Sequence, residues 1–235
     1  MICVHGEILI YMNQYPDRDG AMSANISKDV LSAVVPMIGM PEEVVAKKVV
    51  FYVYAVLCSQ VYLDEFEGAL FTVNQSDKRA RGTIVEEKDL FIRIAEMGKK
   101  IAELEKQDYK PDNILGFDYN SLLASIPSGF QLKNATHPFD AENELLILTN
   151  GVTTIEVDCP LSLQRLNISG YDVIKAVWLK FNSYDFTHCE FTKEDMKGLL
   201  DFLNTIATHE HLIKELDEII APVLDGSISL IENED

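Results

Sequence analysis

One polar segment holds the densest cluster of basic side chains in the sequence. Lys78, Arg79 and Arg81 stand close together, and Asn74 and Gln75 precede them. Arginine can hydrogen-bond guanine O6 and N7, asparagine and glutamine can hydrogen-bond adenine, and lysine binds phosphate oxygens. These residue types at this spacing favour contact with a nucleic acid. Because exposed lysines and arginines are common in surface loops, a loop whose bases offset nearby acids is the alternative interpretation.

Further lysines extend this cluster if the fold brings them together. Lys99 and Lys100 are two such residues, in the next helical segment of the chain. The set that we predict to contact DNA therefore comprises Asn74, Gln75, Lys78, Arg79, Arg81, Lys99 and Lys100.

The overall charge opposes this interpretation. The chain of 235 residues has 38 acidic and 20 basic side chains, which gives a formal net charge of −18. Binding to duplex DNA depends on neutralising phosphates, so a domain this acidic needs a segregated basic face or basic neighbouring domains. The simpler reading of the charge is that it keeps the protein soluble and limits unspecific association.

Residues typical of catalysis, cofactors and metals form no recognisable pattern. The sequence has no Asn/Asp-Pro-Pro-aromatic motif, no GxxxxGK[ST] loop and no GxSxG motif. His209 and His211 are two positions apart, which would turn their rings about 200° from each other on a helix, so we expect a surface pair at a helix start. We therefore expect no catalytic residue, no metal site and no cofactor.

The central element of the chain is expected to be a helix over Val49–Phe66, the densest apolar run. It is apolar on nearly all sides, which is typical of a helix in the middle of a core. A membrane span is the rival interpretation, but the uncharged stretch between Lys48 and Asp64 is shorter than the ~20 apolar residues that a span needs. We therefore expect a buried helix that begins near Glu42.

The remaining pattern is helical first and strand-like later. We expect a strand at Ile8–Met12, a turn at Asp17–Gly20 and six helices besides the central one. The helices are Lys28–Val35, broken by Pro36 and Gly39; Asp89–Glu105; a short helix at Tyr119–Ser125; Tyr171–Phe181; Met196–Ile206, capped by Thr192 and Asp195; and His209–Leu224, ended or bent by Pro222. Asn150-Gly151 predicts a two-residue hairpin turn between strands Glu144–Thr149 and Val152–Val157, and Leu161–Ile168 is expected to be a strand or a strand with a bend.

These elements predict an α+β fold. Its N-terminal part is helical around the buried central helix, and β-hairpins and C-terminal helices follow. The expected division is a mainly helical part with a short N-terminal strand over residues 1–110, a surface connection over 111–130, and a hairpin-plus-helix part over 131–235, with one continuous domain as the alternative. The four cysteines are widely spaced with no CxxC, so we expect reduced thiols.

The central segment also resembles a known block. VFYVYAVLCSQVYLDEF is similar to the FxYxYAxLHSPxYRxxY block of type ISP restriction–modification enzymes and related adenine-methylating restriction enzymes. The matching residues are Tyr52, Tyr54, Ala55, Leu57, Ser59 and Tyr62, with Val50 and Phe66 in place of an aromatic residue at each end. The His, Pro and Arg of the block are replaced by Cys58, Gln60 and Leu63, so its apolar part is kept and its polar part is not.

Other segments resemble the same family in the same order. DLFIRIAEMGKKIAELE is similar to its dxxLFxxLaxLGxxLaxLH block, including Gly98, and Gly170 and Trp178 resemble its vnGxsaLeWvxxrY segment with a longer gap. The resemblance covers about residues 8 to 180. It implies the C-terminal target-recognition domain of such an enzyme, which follows the methyltransferase motifs and does no chemistry itself.

The sequence thus leads to two expectations about function. The first is a non-catalytic, cytoplasmic DNA target-recognition domain of a restriction–modification or phage-defence enzyme. Its partners would be double-stranded DNA, the methyltransferase–helicase domains of the same system, or both, with no membrane. The second is an acidic protein–protein interaction module or DNA-mimic inhibitor that acts on such an enzyme. The charge of −18 and the replacements Cys58 and Leu63 favour this second expectation.

Overall fold

The computed structural model describes most of the chain. The described residues are 15–16, 22–23, 26, 28–71, 84–106, 110–133, 139–168, 171–173 and 189–226. The predicted strand Ile8–Met12 and the turn Asp17–Gly20 lie outside them, as does Ser27, which the sequence predicts as the N-cap of the helix Lys28–Val35. The described residues contain helices and a small antiparallel three-stranded sheet, which confirms the α+β class.

Seven helices occur in these ranges. They are α1 (Lys28–Ile38), α2 (Glu42–Cys58), α3 (Gln60–Phe71), α4 (Lys88–Glu105), α5 (Tyr119–Ala124), α6 (Leu161–Gln164) and α7 (Lys193–Leu224). The helix predicted at Asp89–Glu105 and the start of the central helix near Glu42 are confirmed.

The strands are short and antiparallel. β1 (Tyr15–Pro16) pairs with β2 (Met22–Ser23), β6 (Asn167–Ile168) pairs with β7 (Tyr171–Asp172), and β3 (Phe139–Asp140), β4 (Leu145–Thr149) and β5 (Thr154–Asp158) form the three-stranded sheet in that order. In β5 the side chains alternate between buried and exposed, which places one face of the sheet on a core.

The described residues fall into two compact units. One contains those within 1–110 and from 209 onward, and the other contains those within 111–208. The predicted division kept 131–235 together, whereas here the last helix contributes to both units. Residues predicted to be a surface connection also lie in the second core, because Phe117, Ile126 and Phe130 are buried there.

The core of the first unit is helical. Helices α2 and α4 carry most of its buried apolar side chains, and α7 adds Leu212, Leu216 and Ile220. Tyr52 of α2 stacks on Phe91 of α4, with ring centroids 4.7 Å apart and planes 9° from parallel. The prediction that the apolar run is buried is therefore confirmed for α2.

The prediction of one helix through Val49–Phe66 is wrong. Helix α2 ends at Cys58 and α3 begins at Gln60, with an angle of 72° between them. Ser59 between them has an extended backbone, and its Oγ accepts a hydrogen bond from Tyr62 N at 3.3 Å, as the N-cap of α3. None of the described helices is by itself long and apolar enough to cross a membrane. Only by length and composition do α2 and the first part of α3 together meet that requirement, as a pair bent by 72°.

Pro36 and Pro222 both lie inside helices, although the sequence predicts that Pro36 breaks a helix and that Pro222 ends or bends one. Helix α1 runs through Pro36 to Ile38, because Val34 and Ile38 pack into the core on either side of it. Its end is set instead by Gly39, whose φ of +69° is a left-handed conformation suited to glycine. Pro222 lies inside α7, two residues before that helix ends.

The two predicted C-terminal helices are a single helix. Thr192 and Asp195 cap α7 as expected, with Thr192 N donating to Asp195 Oδ2 at 2.8 Å and Asp195 N donating to Thr192 Oγ1 at 3.2 Å. The helix continues past Thr208, whose hydroxyl donates to the carbonyl of Asn204 one turn earlier, at 2.8 Å.

Three predictions in the strand-like region are also corrected. The β4–β5 loop has four residues, 150–153, because Thr149 pairs with Thr154. The segment predicted as a strand from Leu161 begins with helix α6, where Leu163 N donates to the carbonyl of Pro160. Tyr171, the predicted start of a helix, is in β7, and residues 174–188 lie outside the described ranges.

Candidate functional site

Of the seven predicted DNA-contacting residues, the structure describes two. Lys99 and Lys100 are exposed on α4. Asn74, Gln75, Lys78, Arg79 and Arg81 lie outside the described residues.

A lysine cluster surrounds one carboxylate on the exposed side of the α2–α4 pair. Lys48 Nζ of α2 lies 2.6 Å from Glu96 Oε1 of α4, and Lys99 and Lys100 follow Glu96 by three and four residues on the same helix. The hydrogen bond from Lys48 and the charges of Lys48, Lys99 and Lys100 lower the pKa of the Glu96 carboxyl, against the smaller opposing effect of its partial burial. We call Lys48, Lys99 and Lys100 the lysine cluster.

Only part of this positive charge is neutralised locally. Lys99 Nζ lies 3.7 Å from Glu103 Oε1, a long contact between two half-exposed side chains. Surface pairs of this kind contribute little energy, so the Lys99 ammonium group can exchange this carboxylate for another anion at small cost. Lys100 makes no ion pair with any described residue.

The backbone beneath the lysine cluster is held in close contact. A Cβ atom on Gly98 would collide with the carbonyl oxygen of Phe51 and lie 3.0 Å from Ala55 Cβ, so α2 and α4 cross at van der Waals distance there. Gly98 stands next to Lys99 in α4. The positions of Lys99 and Lys100 relative to α2 are therefore set by a packed helix crossing.

A buried polar chain in the same unit was missed by the sequence analysis. The Tyr54 hydroxyl donates to Glu105 Oε2, and Glu105 Oε1 lies 3.1 Å from His209 Nε2. Tyr54 also hydrogen-bonds with the Cys58 thiol. Glu105 and His209 are far apart in the sequence, so their contact leaves no local pattern. The only local signal for this network is that Tyr54 and Cys58 are one helical turn apart.

Burial determines the protonation of Tyr54 and Cys58 in this hydrogen-bonded network. Burial, followed by the nearby Cys58 and Glu105, raises the pKa of the Tyr54 hydroxyl, which therefore stays protonated as a donor. Burial and then the Glu105 charge raise the pKa of the Cys58 thiol to about 12. Because a thiol nucleophile must ionise, a pKa this high keeps the Cys58 thiol protonated at neutral pH.

The histidines do not form the surface pair predicted at a helix start. Both are within the long helix α7; His209 is largely buried against Glu105, and exposed His211 Nε2 lies 3.5 Å from Glu215 Oε1. No group of three His, Cys, Asp or Glu side chains among the described residues is arranged to hold a metal ion.

No family model matches the chain. No curated protein and no solved structure matches it either.

The second unit contains a polar network that fixes its packing. Asn204, only 1% exposed, accepts from Leu115 N at 3.1 Å and donates to Asn113 Oδ1 and to the Tyr119 hydroxyl. The Tyr119 hydroxyl in turn donates to Asp201 Oδ1 at 2.9 Å. Since both the oxygen and the nitrogen of the Asn204 amide are hydrogen-bonded, this partly buried network stabilises the unit.

Proposed function

We propose that the chain is a non-catalytic DNA target-recognition domain of a restriction–modification or phage-defence enzyme. The observation that carries the proposal is the lysine cluster on a packed helix crossing, in a protein whose net charge is −18. Three lysines from two helices lie near Glu96 there, and two of them pair with the carboxylates of Glu96 and Glu103, which leaves an excess of one positive charge. Such an excess supports a basic face of the kind that an acidic DNA-binding domain needs.

The arrangement suits contact with phosphates rather than chemistry. Lysine is a flexible point charge that binds phosphate oxygens without reading a base. The resemblance of α2 and α4 to type ISP enzymes supports the same function. In this proposal base reading falls to other side chains, among them the arginines at 79 and 81, while the lysine cluster fixes the domain on the duplex.

The test is salt-dependent binding of a fluorescent mixed-sequence duplex to the full chain. We expect binding at low salt, and we expect Lys99→Gln/Lys100→Gln to reduce the slope of log affinity against log salt by about two, because each phosphate contact contributes about 0.9. The control is Lys110→Gln/Lys193→Gln, which removes the same charge from two other exposed positions. The proposal fails if the chain binds no duplex at low salt, or if the two double variants behave alike.

An acidic interaction module is the second candidate, and one observation favours it. Asp140 of β3 and Asp158 of β5 pair with Leu145 of β4 from opposite sides, and Glu156 is exposed further along β5. Neighbouring strands are about 4.8 Å apart, so the backbone positions of Asp140 and Asp158 are about 10 Å apart. Carboxylates spaced in this way on a sheet can bind a basic protein surface in place of DNA phosphates.

Competition separates this candidate from the first. A labelled duplex would be bound to the methyltransferase–nuclease of the same system, and the chain would be added. As an inhibitor, the chain should release the duplex without binding it, and Glu156→Gln/Asp158→Asn should release less than the control Glu86→Gln/Glu87→Gln. If the chain itself binds the duplex, the second candidate fails.

A further inference from the structure

The loop of the β4–β5 hairpin, residues 150–153, presents an apolar side chain that the fold does not use. Val152 is 94% exposed, far more than Val44 and Ile114, the other large apolar residues that are exposed in the described part of the chain. A lone exposed valine needs no special explanation by itself. The rigidity and charge of its surroundings set this one apart.

The backbone of the loop is closed on itself. Asn150 Oδ1 accepts from Val152 N at 2.9 Å and from Thr153 N at 2.7 Å, and Gly151 N donates to Thr149 Oγ1 at 3.0 Å. Asn150 N donates to the carbonyl of Thr153 at 3.2 Å. All four amide groups of the loop therefore have acceptors inside the hairpin, so the position of Val152 is fixed without its own side chain.

The tip carries one lysine and no acidic residue of its own. Between Glu144 and Glu156 the chain has no acidic residue. The Lys133 side chain lies over Gly151, where its Nζ is 2.5 Å from the position that a Cβ atom would take. The Lys133 backbone is anchored as well, because its N–H donates to the carbonyl of Thr149 at 2.8 Å. The tip thus combines an ammonium group with an exposed branched apolar side chain.

We propose that this hairpin tip enters the major groove of duplex DNA, with Val152 against a thymine methyl group and Lys133 on a phosphate. The inference rests on the proposed DNA-recognition function. The major groove is about 12 Å wide and admits a two-stranded ribbon, and the thymine C5-methyl is the apolar group exposed there. Lys133 supplies the positive charge that the phosphate requires, and the acids at Glu156 and Asp158 begin behind the tip. Val152 is then a specificity-determining residue.

The first experiment selects duplexes from a random-sequence pool with the full chain. We expect the parent chain to enrich a motif that contains at least one required thymine. Val152→Ser should lose the preference at that thymine and keep the other positions of the motif. The control is Ile114→Ser, which removes another exposed apolar side chain of the same unit and should enrich the parent motif. Since the loop hydrogen bonds from Val152 use only its backbone, Val152→Ser should fold normally.

The second experiment replaces the required thymine by uracil, which lacks the methyl group. We expect the parent chain to bind the uracil duplex about fourfold more weakly, as burial of one methyl-sized group would give, and Val152→Ser to bind both duplexes equally. If the parent and Val152→Ser enrich the same motif, or if uracil has no effect on the parent, the tip does not read thymine, although DNA binding stands. If the parent binds no duplex, both proposals fall.

Discussion

At the scale of single residues, Gly98 is the described glycine at which an added Cβ atom would lie closest to another atom. Its missing Cβ lets the carbonyl of Phe51 approach α4, and Ala55 closes the space on the same side. Gly98→Ala should lower the free energy of unfolding by about 3 kcal/mol, because the clash is with backbone that cannot rotate away. Denaturant unfolding measures this change.

Gly198 of α7 is the matched control for Gly98. A Cβ there meets nothing within 4 Å. Gly198→Ala should therefore raise stability by about 0.5–1 kcal/mol, through the better helix propensity of alanine. Equal effects of the two substitutions would show that α2 and α4 do not cross as closely as described.

The cysteines differ in their expected reactivity. Burial raises the pKa of the Cys58 thiol to about 12, and burial followed by the Glu144 charge raises that of Cys159 to about 12, whereas Cys189 is exposed. Against an ordinary thiol pKa of about 8.5, a pKa near 12 reduces the thiolate fraction at neutral pH by more than a thousandfold. Alkylation of the native chain should label Cys189 quickly and leave Cys58 and Cys159 intact.

Mass spectrometry of alkylated peptides checks this prediction. Raising the pH from neutral towards 10 should increase labelling of Cys58 and Cys159 in proportion to their thiolate fraction, and unfolding in denaturant should remove the difference from Cys189. Rapid native labelling of Cys58 at neutral pH would contradict the buried Tyr54–Cys58 contact.

At the scale of elements, the break at Ser59 organises the first unit. Ser59 is fully buried, and its Oγ donates to Asp217 Oδ1 at 2.8 Å while it caps α3. The same carboxylate oxygen accepts from Val61 N at 3.4 Å, so a negative charge stands at the positive end of α3. Asp217 of α7 thereby joins the helix start to the C-terminal helix.

Ser59→Ala should therefore cost about 2 kcal/mol of stability. It removes the N-cap and leaves the Asp217 carboxylate without its hydroxyl donor. Ser59→Thr keeps the hydroxyl and should recover much of the loss, and Ser125→Ala, which removes an exposed hydroxyl bonded to a helix carbonyl, should have little effect. Thermal unfolding that gave the same loss for Ser59→Ala and Ser125→Ala would refute the capping role.

The elements that the sequence predicts well are those with strong local patterns. The helix predicted at Asp89–Glu105 and the capping residues Thr192 and Asp195 depend on local signals, and the structure confirms both. The break at Ser59 could not be read locally, because it depends on Asp217, 158 positions away. The four-residue hairpin loop was missed for a related reason, since Asn150 bonds the loop backbone with its side chain instead of taking a two-residue turn.

The candidate site shows the same limit. The sequence predicts Lys99 and Lys100 as DNA-contacting residues. Lys48 lies near them only because α2 and α4 pack together. The polar chain through Tyr54, Glu105 and His209 likewise brings together residues from three helices, and no spacing along the sequence encodes it.

At the scale of the whole molecule, two separate cores share one long helix. Leu216 of α7 is fully buried in the core of the first unit, and Leu200 of the same helix is fully buried in the core of the second. Each leucine truncation should cost about 3 kcal/mol in its own core. Because the two cores have no described buried residue in common, we expect each loss to be confined mainly to one unit.

Native-state hydrogen exchange can follow both units in one sample. Leu216→Ala should reduce amide protection in α2 and α4 and leave β4 and β5 near the parent value, whereas Leu200→Ala should do the reverse. The two substitutions are the same chemical change on one helix, so helix propensity cancels between them. If either variant lowers protection equally in all four elements, the chain unfolds as one cooperative body, and α7 transmits the loss from one core to the other.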